Sequence, residues 1–470
     1  MELAESASGS AELKDWIPDL VDLLGESVVS VRDDDLATHS VDKWYASNPP
    51  EAVVLAKCRE DVVKTMRFAN ERNIPVTTRG AGVGYVGGAV PMSDGIVLSV
   101  RGMDAIREIN PADGVAVVEP GVILDDLQTA ARELGWYYPP DPASLKECSI
   151  GGNVATNAGG PRCLKYGVTR HYILGLEVVL ANGEVLQTGG RCHKNKTGFD
   201  LIGMFVGSEG LLGVVTEITL RLIPHPEARA MLTVTFPEFS DAAAAVQAIL
   251  NSRWQPSALE ITDGFTLAAA RKRLGPEALP DGNAHLIVEI DGREKSLPGE
   301  LAELRAFLES LKAIEIGEAT DDKSCEAIWK LRREFSYSLR DTGLIKLNED
   351  IVVPRSKLVE LVNFARKLQD ETGIPVACFG HAGDGNIHTN LMVKDYDIDP
   401  VAREKADAAL DVLFKWVLAQ GGAITGEHGV GLAKKRWFGD AVSDVSRAVH
   451  RDLKATLDPK GILNPGKFVE

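Results

Sequence analysis

The segment Thr78-Arg-Gly-Ala-Gly-Val-Gly-Tyr-Val-Gly-Gly-Ala-Val-Pro91 constrains the fold more than any other stretch of the chain. Its Gly82-x-Gly84-x-x-Gly87 spacing formally satisfies the dinucleotide fingerprint of doubly wound α/β domains. In that architecture the glycines must open a helix whose N-terminus holds a pyrophosphate. Here Gly88, Pro91 and Gly95 lead into an apolar run at 96–100 that reads as a strand, so no helix starts and a Rossmann unit is excluded. What survives is simpler: successive backbone N–H groups without side chains form an anion-binding concavity, with Arg79 adding charge. An ordinary flexible glycine loop is the competing reading of this segment taken alone.

Further glycine clusters follow at Ser149-Ile-Gly-Gly-Asn-Val-Ala-Thr-Asn-Ala-Gly-Gly160 and Gly207-Ser-Glu-Gly-Leu-Leu-Gly213, with a rigid Pro139-Pro-Asp-Pro-Ala-Ser144 between the first two. The 149–160 cluster holds too many glycines and small residues for a packed helix, so backbone there must approach something flat or charged. Four such segments spread over the first half imply a long ligand lying across it.

Around these loops the pattern alternates α and β. Strands are expected at 52–57, 74–77, 95–100, 114–119, 174–180 and 214–222, and helices at 61–72 and 124–134. The strand at 174–180 turns through Asn182-Gly183, a strong hairpin signal. The pattern breaks at Ile223-Pro-His-Pro-Glu227. Beyond it come a strand at 230–236, a helix at 240–252, a strand at 284–290, and helices at 297–311 and 324–340, which read as a second, α+β domain.

Late in the chain, His381-Ala-Gly-Asp-Gly-Asn-Ile-His388 and the Glu427-His428 pair of TGEHGVG gather three imidazoles and a carboxylate within glycine-rich turns. Apolar runs at 374–379 and 387–393 flank the Asp384-Gly385 turn signal, so the segment reads as a hairpin whose arms return both histidines to one end. Imidazole nitrogens and a carboxylate oxygen suit a transition metal that keeps one position open. His381, His388 and Glu427 are the candidate ligands, and His428 the candidate general base. Polar turn residues or satisfied core histidines are the alternative.

At 470 residues the chain is long enough for two or three domains. Its net charge of −17 argues against a nucleic-acid partner and requires lysine or arginine in any pocket that captures an anion. The six cysteines are dispersed without a C-x-x-C pair, which indicates neither a disulfide framework nor an iron–sulfur cluster. No signal-type apolar core opens the chain and no stretch approaches a membrane span, so a cytoplasmic protein without transmembrane segments is the expectation.

Together these motifs resemble the FAD-linked oxidases of the vanillyl-alcohol oxidase and p-cresol methylhydroxylase superfamily, in the branch of glycolate oxidase flavoprotein subunits, D-lactate dehydrogenases and D-2-hydroxyglutarate dehydrogenases. The likeness runs from TRGAGVGYVGG, PPDPAS, CSIGGNVATNAGG and GSEGLLGVVTE to GHAGDGNIHTN, GEHGVG and the closing LNPGK. The fold it implies is α+β: a two-part FAD-binding domain of p-cresol methylhydroxylase type over 1–225, to which 440–470 returns, and an α+β substrate domain with an antiparallel sheet over 226–439.

By that resemblance Arg79, Gly80, Ala81, Gly82, Val83 and Gly84 should hold the FAD phosphates. Pro140, Asp141, Ser144, Gly151, Gly152, Asn157 and Gly160 should line the flavin, with Glu209, Val214 and Asn464 as further contacts. Residues 77–90 contain no histidine, so non-covalent FAD is implied. Family metal ligands map to His381, His388 and Glu427, the base to His428 and a substrate contact to Asn390. The metal would be divalent, zinc first, with manganese or iron as alternatives. Arg332 aligns with the family's carboxylate-binding arginine and Lys346 is a second choice; a solvated helix face is the competing account of Arg332, Arg333 and Arg340. Thr389 replaces a proline common in relatives, which leaves the pocket's preference open.

The implied reaction oxidises a small 2-hydroxy acid, glycolate or D-lactate, to the 2-keto acid. D-2-hydroxyglutarate ranks behind them because nothing in the sequence marks a second carboxylate pocket. An iron–sulfur subunit, an electron-transfer flavoprotein or a quinone should accept the electrons; the oligomeric state, a homodimer included, stays open. Two rivals stand beside this reading: a flavin-free metal-dependent hydrolase, and a non-catalytic flavoprotein scaffold.

Overall fold

A computed structural model of the protein describes residues 14–469. The stretch 1–13, on which much of the expectation about the N-terminus rests, lies outside the described residues. Three β-sheets organise the rest. The first has the order Val29–Ser30, Ala52–Leu55, Ile96–Ser99, Val76–Arg79, with the last three strands parallel. Parallel strands covered on both faces should be continuously apolar, and Ala52, Val53, Val54, Ile96, Val97 and Leu98 are all buried. The covering helix Arg59–Arg72 buries Val62, Val63, Met66, Phe68 and Ala69, and stops where Asn73 takes a left-handed conformation at φ 54°.

The second sheet is antiparallel, in the order Ile106–Asn110, Val115–Val118, Val214–Arg221, Ile173–Val179, Val185–Gly189. The expected Asn182-Gly183 turn joins its last two strands. The third sheet has seven antiparallel strands in the order Glu315–Ala319, Ala228–Phe236, Ala284–Gly292, Ala258–Asp263, Val376–His381, Asn386–Val393, Ile345–Val352. Helices Phe239–Leu250, Leu297–Glu309, Leu358–Thr372 and Pro400–Ala419 bury their apolar stripes against one face of this sheet and make the largest core. Its other face carries small apolar clusters shared with helices Gly264–Leu274 and Asp322–Arg340, together with a polar patch. Cross-strand register puts Glu260, His381, Phe379, His388, Asn390, Asp350 and Asn348 on that side together.

The 80–95 segment contains no helix, as its glycines and Pro91 require. The 149–160 cluster departs from expectation, because Ile150–Thr156 is a helix capped by Ser149, whose side chain accepts from the Gly152 amide. Tertiary contact overrides weak propensity here. A Cβ on Gly151 would stand 2.6 Å from the Pro120 Cβ and 2.9 Å from the Pro120 carbonyl oxygen. The small residues therefore let a helix, not an extended strand, approach its neighbour. No helix among the described residues is long and apolar enough to cross a membrane.

Gly151→Ala decides between propensity and packing. Helix propensity alone would stabilise it by about 1 kcal/mol, whereas overpacking against Pro120 should destabilise it by roughly 1–3 kcal/mol. Urea denaturation is expected to show a net loss; a higher midpoint would remove the packing account.

Candidate active site

One cavity of about 1300 Å³ runs between the glycine loops and the polar patch of the large sheet. Its wall takes residues from 78–89, from 141–149, from the helix Ile150–Thr156, from 208–215, and from the four-residue imidazole and carboxylate cluster. All four glycine-rich or proline-rich segments thus meet one space. It exceeds the volume of an ordinary small-ligand pocket.

The cluster is compact. The Nε2 atoms of His381, His388 and His428 lie 3.5, 3.6 and 3.9 Å from Glu427 Oε1. The hairpin places the first two: His381 ends one arm, the Gly385 turn follows, and His388 sits opposite Phe379 on the other arm. A Cβ on Gly385 would stand 2.1 Å from the Val353 carbonyl oxygen, so the turn admits only glycine.

The loop carrying Glu427 and His428 is positioned by a residue that sequence motifs did not mark. Asp350 is fully buried, and its Oδ2 accepts from Thr425 Oγ1 and from the amides of Gly426, Glu427 and His428 at 2.8–3.0 Å. Its Oδ1 accepts from Asn386 Nδ2 at 2.7 Å. Burial works against its charge, yet His428, Lys434 and His388 together with the Glu427 amide hold it well below the usual carboxylate range. Glu260 is the second unmarked residue. Its Oε1 meets His381 Nδ1 at 2.6 Å and its Oε2 accepts from Arg332 at 2.6–2.8 Å. Burial opposes protonation of His381, but Glu260 and Glu427 win and raise it well above the usual imidazole range. Burial pushes His388 the other way.

His381, His388 and Glu427 offer ligand atoms within 4.8 Å of one another. A tetrahedral ion about 2.1 Å from each ligand needs donors about 3.4 Å apart, close to the separations from Glu427 Oε1. Glu427 Oε2 and His388 Nδ1 are buried without a hydrogen-bond partner, and Glu260 behind His381 supplies the carboxylate that usually backs a ligating imidazole. These residues fit a divalent metal. The cradle fits an anion as well, because the amides of Gly82, Val83 and Gly84 border the cavity without a protein acceptor among the described residues.

Not every expected residue faces this space. Arg79 lines it, but its guanidinium donates to the carbonyls of Val41 and Thr38 at 2.5 and 3.2 Å, so its charge braces the loop and is not turned to a ligand. Gly80, Ala81, Gly82, Val83, Gly84, Asp141, Ser144, Gly151, Gly152, Glu209, Val214, Arg332 and Lys346 line the cavity. Pro140, Asn157, Gly160, Asn390 and Asn464 do not. The Pro140 carbonyl accepts from Gln128, Asn157 Oδ1 accepts from the Arg170 amide, and Gly160 packs on Asp141. Asn390 is fully buried and donates to the carbonyls of Ala377 and His388. Asn464 Oδ1 accepts from the Thr78 amide while its Nδ2 donates to the Glu209 carbonyl, so it ties loops together.

The two halves are stitched across the cavity. Arg162 donates two bonds to Glu289 at 2.7 and 2.8 Å and one to Asp141 at 2.5 Å, and Trp329 Nε1 also donates to Glu289. Glu209 accepts from the amides of Val430 and Gly431 at 2.7 and 2.8 Å.

This architecture defines an FAD-linked oxidoreductase in which glycine loops and a polar patch of β-sheet enclose one cavity. The match to the FAD binding domain covers residues 50–189 and the match to the C-terminal domain of FAD linked oxidases covers 225–468. The chain belongs to the FAD-linked oxidase family. It is 35% identical over 419 residues to glycolate oxidase subunit GlcD of Bacillus subtilis, covering 89% of each chain. It is 33% identical over 438 residues to a D-lactate dehydrogenase of Anaerostipes hadrus, covering 92% of each. Among solved structures, p-cresol methylhydroxylase with substrate bound matches with a TM-score of 0.79 at 21% identity, over 96% of both chains, which establishes the fold. The flavin-free hydrolase alternative is overturned by the FAD-binding match.

Asp350→Ala should leave the loop amides and two imidazoles facing an emptied, buried site. A loss of roughly 3–5 kcal/mol is expected from breaking so buried a charged network. Chemical denaturation measures it, and a loss below 1 kcal/mol would refute the anchoring role.

Proposed function

We propose that the protein oxidises a small D-2-hydroxy acid to the corresponding 2-keto acid, with FAD held non-covalently. The observation that carries this reading is the convergence of three imidazoles and a carboxylate on a cavity that the glycine loops also line. Residues 1–225 with 440–470 serve the cofactor, and 226–439 serve the substrate. The segment Gly80 to Gly84, through the amides of Gly82, Val83 and Gly84, would hold the FAD phosphates, with Asp141, Ser144, Gly151 and Gly152 beside the flavin. FAD supplies the hydride acceptor when bound. His381, His388 and Glu427 would hold a divalent metal, zinc first, whose chemistry is to acidify a coordinated hydroxyl.

His428 takes the hydroxyl proton at Nε2 as hydride leaves C2. Asp350 lies 3.8 Å from its Nδ1 and accepts its backbone amide, so ring and main chain are oriented by one carboxylate. The substrate's carboxylate is held by Arg332, which lines the cavity and whose Nε and Nη2 are engaged by Glu260. Glu260 thereby couples the carboxylate anchor to the His381 ligand. The six cysteines of the chain are free thiols, so electrons leave through a separate acceptor: an iron–sulfur subunit, an electron-transfer flavoprotein or a quinone.

Purified protein should be yellow, and D-2-hydroxy acids should bleach it and reduce a coupled dye. His428→Ala is expected to slow flavin reduction by roughly two to four orders of magnitude, and chelation should do the same while leaving the flavin bound. Full activity after exhaustive chelation would refute the metal's role, and normal reduction by the His428→Ala variant would refute the base.

A further inference from the structure

His428 is held firmly along its main chain and loosely at its ring. Its amide donates to Asp350, but neither ring nitrogen makes a hydrogen bond among the described residues: Nδ1 stands 3.8 Å from Asp350 Oδ2 and Nε2 3.9 Å from Glu427 Oε1. Both separations exceed hydrogen-bond range. The charge on Asp350 favours one nitrogen turning inward and leaves the tilt of the plane open, because the terminal torsion of a histidine is broad and roughly two-fold. A base must nevertheless present its nitrogen squarely to the reacting hydroxyl. Packing has to fix the ring.

Two rings touch the imidazole. His388 stacks on it with centroids 5.6 Å apart and planes 11° apart, and Tyr85 meets it at 5.3 Å and 31°. His388 belongs to the large sheet, whereas Tyr85 directly follows Gly84 in the glycine loop and lines the cavity. The Tyr85 hydroxyl has no hydrogen-bond partner among the described residues. The loop around it is fastened to the segment that carries His428. The Val86 carbonyl accepts from the amides of Leu432 and Ala433 at 2.7 and 3.1 Å. A Cβ on Gly431 would stand 2.3 Å from that carbonyl oxygen, and one on Gly87 would stand 3.0 Å from Leu432 Cδ1. Glycine thus lets the two loops close on each other, and Tyr85 reaches the imidazole across a tightly fitted seam.

We propose that Tyr85 is a positioning residue for the base: its ring sets the plane of the His428 imidazole, so the loop assigned to the FAD phosphates also aligns the group that takes the proton. The proposal rests on the oxidation reading above. It needs the ring and not the hydroxyl, because the contact is between ring and ring and the hydroxyl bonds to no group of the protein. One loop thereby serves two ends. The amides of Gly82, Val83 and Gly84 border the cavity, and the next side chain braces the base. An aliphatic side chain of comparable bulk would fill the space without offering a flat face to fix the tilt. Sequence did not single out Tyr85, because a lone aromatic among glycines gives no sign of a partner in a distant segment.

The test uses the FAD-loaded enzyme, with rates taken per bound flavin, and whichever of glycolate, D-lactate and D-2-hydroxyglutarate reduces it fastest. Tyr85→Leu should lower the limiting rate of flavin reduction about tenfold while the half-saturating substrate concentration and Tyr85→Phe both stay within about threefold of wild type. In a His428→Ala background Tyr85→Leu should cost nothing further, because a residue acting through the imidazole has no effect once the imidazole is gone. Crystal structures give a readout that needs no turnover: one orientation of the His428 ring in wild type and Tyr85→Phe, more than one in Tyr85→Leu. If Tyr85→Leu loses flavin or fails to fold, Tyr85→Met takes its place. An unchanged rate in the aliphatic variant, an equal loss in the His428→Ala background, or a loss as large in Tyr85→Phe overturns the proposal. If no 2-hydroxy acid reduces the flavin, the oxidation reading falls, and the ring orientation alone then decides, a single unmoved His428 ring in the aliphatic variant overturning the brace.

Discussion

A single buried carboxylate organises the chemistry of this fold. Asp350 collects three consecutive amides and a hydroxyl from the 425–428 loop, and holds Asn386 of the hairpin with its other oxygen. Charged hydrogen bonds shielded from water are individually strong and costly to break. The loop is glycine-rich and has no regular structure of its own, so these bonds, with those of Glu209 to the Val430 and Gly431 amides, hold Glu427 and His428 against two histidines borne by a different segment. Specificity of position, more than net stability, is what such a buried charge contributes.

Around that anchor the cavity wall is built of paired charges. Glu260 bridges His381 and Arg332, and Glu289 joins Arg162, Trp329 and Ser257. Arg162 joins Glu289 of the large sheet to Asp141, so that part of the wall doubles as the seam with the glycine loops. Rigidity here matters because displacement of a reacting group by about 1 Å can cost a hundredfold in rate.

Turn chemistry was the most legible feature of the sequence. Asn182-Gly183, the 80–95 loop and the Asp384-Gly385 hairpin follow from backbone sterics that few other residues satisfy. The helix Ile150–Thr156 was illegible because its glycines serve contact with Pro120, and that partner lies thirty residues away. Asp350 and Glu260 escaped motif reading because neither sits in a glycine-rich turn or beside a histidine: Asp350 follows Glu349 inside the strand Ile345–Val352, and Glu260 lies within Ala258–Asp263. One signal was available: Lys346, Asn348 and Asp350 recur every second residue in 345–352, which marks a strand face turned toward something polar. Arg79 shows the opposite error, for a cation beside a glycine loop reads as a ligand contact when it can equally hold the loop from behind.

The contact of Asn464 with Thr78 spans 386 positions of sequence, and Leu463 bridges to Val76 beside it. During synthesis the early strands can collapse long before residues 462–464 exist. The ties from 462–464 to Val76 and Thr78 therefore form after the early strands, whose loop is meanwhile braced only by Arg79 on the Val41 and Thr38 carbonyls. Maturation of the holoprotein is a late event, set by the arrival of a few distant residues and not by the speed at which the early strands pair.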